Sequence, residues 1–168
     1  MTHFAEVTVA QWRGDVKRWH AHQNPKLRDA GDTIHMHSLR CCLLLMRLNP
    51  DFTKDMLAAC IMHDAAETIT GDIPYGAKQG GRLAQSLAWA ESIANTELET
   101  PLADRKSREW IKLVDRIDPY LIALQHAPKE LECDEWAWAF NDIYNAAKSL
   151  GVLGAVQEII AEATEKMT

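Results

Sequence analysis

The chain has 168 residues, which at roughly 150 residues per domain points to one domain large enough to bury its own core. Hydrophobic residues make up 47% and charged residues 25%, a globular composition that excludes a disordered or collagen-like chain. Eighteen Lys and Arg against 24 Asp and Glu leave a net charge of -6, which excludes a duplex nucleic-acid groove binder but not a small anionic substrate held by local cations or a metal.

Apolar positions recur at three- and four-residue spacing in an alanine-rich chain with no period-two run, so an all-α bundle of about six or seven helices is expected. Val9, Trp12, Val16 and Trp19 share one stripe and predict a first helix over 9–19, with Arg18 and Trp19 at its end and Asn24-Pro25 in the loop beyond. A second helix is predicted over 37–48, with His37 in its first turn and Asn49-Pro50 after its end. A third starts near 51–53, runs through Met56, Cys60 and His63, and fails at Gly71-Asp72-Ile73-Pro74. Beyond a loop bearing Gly76, Gly80 and Gly81, helices are predicted over 82–99, 104–126, 135–150 and 152–166.

No repeat or linker marks a boundary, so 1–168 reads as one domain. The longest apolar runs, 41–46 and 57–62, fall far short of the roughly 20 residues that cross a bilayer, and the N-terminus has no basic start followed by an apolar stretch. No membrane partner and a cytoplasmic location are expected, the host cytoplasm if the chain is phage-encoded. Cys41, Cys42, Cys60 and Cys133 lack C-x-x-C spacing and read as reduced, buried thiols. Trp89, Trp110, Trp136 and Trp138 are expected in the core or at a subunit interface.

The densest polar cluster is His63-Asp64-Ala65-Ala66-Glu67, followed by Thr70-Gly71-Asp72. On a helix, Glu67 lies beside both Asp64 and His63, at i+3 and i+4. Two carboxylates so placed next to an apolar helix repel each other unless a cation joins them, so a metal site and a solvated polar face are the two readings.

His37, His63-Asp64 and Asp115 follow the H…HD…D pattern of the HD-domain metal-dependent phosphohydrolases, which the chain resembles. Arg18-Trp19, His37-Ser38-Leu39, His63-Asp64-x-x-Glu67, Thr70-Gly71-Asp72-x-Pro74, Lys78 and Lys112-x-x-Asp115 extend the resemblance to the bacterial 5′-deoxynucleotidase branch, over about 18–124. Met36 departs from the glutamate common there. Small phage dATP triphosphohydrolases are similar as well, and the short chain leans toward them.

The resemblance implies an all-α HD-type fold and a metal held by His37, His63, Asp64 and Asp115. Two imidazoles and two carboxylates suit zinc, cobalt, manganese or iron better than calcium. Glu67 is the candidate to orient or deprotonate a water, and Asp72 to deliver a proton to the departing 5′ oxygen, with the two roles interchangeable. Arg18 and Lys78 are cations for phosphate oxygens. By resemblance, Trp19 crowds a ribose 2′ hydroxyl and favours deoxynucleotides. Each has a plainer alternative: a solvated cation for Arg18 or Lys78, a core ring for Trp19, a turn cap for Asp72 and a helical ion pair for Asp115.

The expected function is release of phosphate or triphosphate from the 5′ position of deoxynucleotides, with dATP, dADP and dAMP favoured. Alternatives are a broad dNMP 5′-nucleotidase and a non-catalytic nucleotide-binding HD module. An RNA or cyclic-nucleotide phosphodiesterase is disfavoured by the acidic charge and the absence of a Gly-Tyr-Pro signature. The expected partner is a small-molecule deoxynucleotide, and family habit with the tryptophan-rich helices points to a homo-oligomer.

Overall fold

The computed structural model describes residues 14–73, 78 and 81–166. Among them it holds eight α-helices, α1 (Pro25–Arg28), α2 (Ile34–Leu48), α3 (Lys54–Ile61), α4 (Glu67–Thr70), α5 (Gly81–Glu97), α6 (Arg105–His126), α7 (Asp134–Ser149) and α8 (Leu153–Glu165), with a 3-10 helix at Pro128–Glu132. The expected all-α class is observed. The one β-like feature among these residues is an isolated antiparallel bridge between Lys17 and Thr33.

That bridge corrects the first predicted helix. Positions 9 and 12 of its stripe lie outside the described residues, and 14–19 is not helical. Its backbone bonds instead to the start of α2: His35 N–H donates to Gly14 O at 2.9 Å, Ile34 N–H to Val16 O at 3.1 Å and Arg18 N–H to Asp32 O at 3.0 Å. Gly14 permits the approach, because a Cβ there would lie 1.9 Å from the His35 ring. Asn24-Pro25, expected as loop, begins α1, with the Asn24 side chain accepting from Lys26 N–H and Pro25 in the first helical position.

α2 ends at the predicted place. It buries Ile34, His37, Cys41, Leu45 and Leu48 at helical spacing. α3 is capped by Thr53 Oγ1, which accepts from Met56 N–H. The predicted continuous helix through His63 is interrupted: 62–66 winds as turns, with i to i+3 bonds such as Ala65 N–H to Met62 O and Glu67 N–H to Asp64 O, both 3.0 Å. α4 then stops at Gly71, whose φ of 82° suits glycine.

The described residues divide between two compact units, drawn from Met1–Leu39 with Ala58–Leu102 and from Arg40–Leu57 with Ala103–Thr168. In the first, α5 packs on α4. In the second, α6 packs on α7, α8 and the 3-10 helix. α6 is capped by Asp104, whose side chain accepts from Ser107 N–H at 2.7 Å, and continues through Pro119. Its buried face carries Trp110, Leu113, Val114 and Ile117, and Tyr120 meets Trp136 and Phe140 of α7. Trp110 is thus a core ring, whereas Trp89 and Trp138 are 69% and 78% exposed. Cys41, Cys42 and Cys60 are buried free thiols as expected; Cys133 is exposed, because it sits in the bend between the 3-10 helix and α7.

Asp118 of α6 is 1% exposed and accepts two bonds from Arg40, Nε to Oδ1 at 2.5 Å and Nη2 to Oδ2 at 2.9 Å. Removing it leaves a guanidinium without its fork partner, so D118A should lower unfolding free energy by about 3 kcal/mol in urea denaturation. E162A removes the solvent-exposed partner of Arg47 and should barely move the transition.

Candidate metal centre

Three of the four predicted ligands converge within the first unit. His37, fully buried on α2, places Nε2 3.2 Å from Nε2 of His63 and 3.3 Å from Oδ2 of Asp64; His63 Nε2 to Asp64 Oδ2 is 3.5 Å. His63 Nδ1–H donates to the Cys60 carbonyl at 2.7 Å, which makes Nδ1 the protonated nitrogen and turns the Nε2 lone pair toward the cluster. In a regular α-helix that carbonyl would accept from Asp64 N–H. The side chain bonds that carbonyl where α3 gives way to turns, so the aim of His63 is set at the break in the helix.

These separations test the fit of a metal. Ligand atoms about 2.1 Å from a divalent transition ion stand about 3.0–3.4 Å from one another, close to the three distances observed. Two imidazole nitrogens facing each other need a shared proton or a cation between them. The residues present therefore fit a divalent metal, and the group is recognisable as a metal-binding constellation. Asp115, the fourth predicted ligand, is half-buried on α6, in the second unit.

Glu67 begins α4 and is buried. Its Oε1 accepts from Lys78 Nζ at 2.6 Å, while Oε2 is buried with no hydrogen-bond partner among the described residues. Burial, then the Asp64 carboxylate, push the carboxyl up to about 7 against the lowering pull of Lys78, with Asp72 adding a smaller upward push. Lys78 also meets Glu91 of α5 at 3.1 Å. Burial works against its charge, yet Glu67 and Glu91 together hold the ammonium above its usual range. Lys78, read from the sequence as a phosphate cation, thus lies between two carboxylates.

Arg18 and Trp19 stand on the bridged loop before α1, not at a helix end. Trp19 has a left-handed backbone, φ 64°, and its N–H donates to Asp72 Oδ2 at 3.0 Å. Its indole Nε1–H donates to Asp32 Oδ2 at 3.1 Å, and the Arg18 guanidinium lies 5.9 Å from its ring centre. His20 Nδ1 is 3.9 Å from Asp72 Oδ2. Pro74 and the loop glycine Gly76 lie outside the described residues.

Sequence reasoning missed Asp32, Glu91 and the Cys60 carbonyl. Asp32 precedes Thr33-Ile34 and reads as a helix cap, and Glu91 reads as one more polar residue on a long helix. A backbone carbonyl has no sequence signal at all.

A protein-family model described as HD domain matches residues 15–137. No curated protein and no solved structure matches the chain.

H63A and D64A should each lose retained zinc in elemental analysis and lose the rise in melting temperature that added zinc gives the wild type. In metal-free protein, a carboxyl carbon resonance absent from E67Q should titrate near pH 7. Zinc should move that titration to lower pH, because a nearby cation favours the carboxylate.

Proposed function

The chain belongs to the HD-domain family, and from that premise we propose that it is a metal-dependent phosphohydrolase that releases phosphate or triphosphate from the 5′ position of deoxynucleotides, with adenine favoured. The observation that carries this reading is the convergence of His37, His63 and Asp64 next in sequence to a buried Glu67 that has one unpartnered oxygen. His37, His63 and Asp64, with Asp115 as the fourth ligand given by the resemblance, would hold a zinc, cobalt or manganese ion. When bound, such an ion polarises a phosphoryl oxygen and lowers the pKa of a coordinated water.

The chain's own residues divide the remaining work. Glu67 takes the proton of the attacking water at Oε2, and a carboxyl near neutral suits that task. Lys78 fixes the other oxygen and so orients the carboxylate. Arg18 grips phosphate oxygens through its planar fork. Asp72 delivers a proton to the departing 5′ oxygen, and Trp19 crowds the sugar 2′ position. Water adds to phosphorus, the bond from phosphorus to the 5′ oxygen breaks, and a deoxynucleoside leaves. The exposed Trp89 and Trp138 support the homo-oligomer included in this reading.

Purified protein with cobalt or manganese, incubated with each dNMP, dNTP and matching ribonucleotide, should release deoxynucleoside in chromatographic product analysis. Inorganic phosphate marks a nucleotidase and triphosphate a triphosphohydrolase. Metal-loaded protein with no turnover of any substrate would indicate a binding module instead. E67A should keep its metal and lose about 100-fold or more in turnover; equal loss of metal would recast Glu67 as a ligand.

A further inference from the structure

Trp19 is held at two ends by two different carboxylates. Its main-chain N–H donates to Asp72 Oδ2 at 3.0 Å and its indole N–H to Asp32 Oδ2 at 3.1 Å. Asp32 is 4% exposed, and its carbonyl also accepts from Arg18 N–H at 3.0 Å, so this one residue grips the 18–19 segment through both side chain and backbone. The His22 ring meets the indole edge-on, with centroids 5.8 Å apart. A left-handed backbone is costly for a bulky residue and persists where the surroundings over-determine it.

A buried carboxylate is expensive unless its oxygens are hydrogen-bonded. Turning the indole away would withdraw the Nε1–H donor from Asp32 Oδ2, so the rotamer of Trp19 and the satisfaction of Asp32 are coupled. We propose that Asp32 is a positioning residue that fixes the indole plane of Trp19 and thereby sets discrimination between deoxynucleotides and ribonucleotides. This rests on the functional reading above, in which Trp19 lies against the sugar. A rigid ring excludes a 2′ hydroxyl, whereas a ring free to swing yields space to it. Asp32 touches no reacting atom in this scheme, so its loss should act on the choice of sugar and spare turnover of the preferred one.

The test compares kcat/KM for each deoxynucleotide and its ribonucleotide in wild type, D32A, D32N and W19F. D32A should lower the deoxy-to-ribo ratio about tenfold and leave kcat on the deoxynucleotide within about threefold. D32N keeps an acceptor oxygen and should retain most of the ratio. W19F keeps a ring but loses the indole donor, so it should lower the ratio as D32A does, and the double variant should add nothing further. The bond itself is read without turnover: the indole N–H resonance absent from W19F should exchange slowly in wild type, and in D32A it should shift and exchange faster. An unmoved ratio in folded D32A, or in W19F should D32A fail to fold, overturns the inference. An indole resonance identical in wild type and D32A, or in wild type and D32L should D32A fail to fold, overturns it as well. Wild-type protein that turns over no deoxynucleotide overturns the functional reading and the selectivity role with it. A wild type that prefers deoxynucleotides while its variants do so equally overturns the inference alone.

Discussion

The hydrogen bond from His63 Nδ1 to the Cys60 carbonyl is the constraint on which the centre depends. It fixes the tautomer of one imidazole, aims its Nε2 at His37 and Asp64, and falls on the carbonyl where α3 ends. The chain answers with a run of tighter turns through 62–66 and resumes helix at Glu67. His63 and Asp64 therefore leave the backbone at a local break, which gives two adjacent residues a common target. Adjacent side chains on a regular helix diverge by about 100° and do not share one.

Charge around the centre is balanced locally. Asp64, Glu67 and Asp72 lie within nine residues, and Glu91 approaches Lys78 from α5. Lys78 offsets two of them through one ammonium group. Asp72 is answered by a main-chain N–H, and Asp64 faces two imidazoles. Glu67 is left with one bonded oxygen and one buried without a partner, a state costly for structure and useful for taking up a proton.

Much of the architecture was legible in the sequence because its signals are local. The helices after Gly80 match their predicted spans to within two residues, since Asp104 caps, the apolar period and the Leu150-Gly151 stop each act over one turn. The convergence of His37, His63 and Asp64 was legible from a motif. The first helix was misread because Val16 and Trp19 fit a helical period, while the deciding forces are hydrogen bonds to 32–35, residues far off in sequence. The two carboxylates that meet Lys78, 11 residues before it and 13 after, carried no signal in the sequence, because tertiary structure alone brings them to it. Asp32 escaped notice for the same reason: its partner is an indole on a loop that looked like helix.

Gly14 bears on how variants of this protein should be interpreted. It lies far from His63 in sequence and carries no functional group, yet the His35 ring occupies the space any Cβ would need. A larger residue there would prise the 14–18 segment from 32–35, and that segment carries Arg18 and leads into Trp19. If Arg18 and Trp19 bind substrate as proposed, a mutational scan would score Gly14 beside them. A map of sensitive positions would mark the footing of the loop as strongly as the residues it presents.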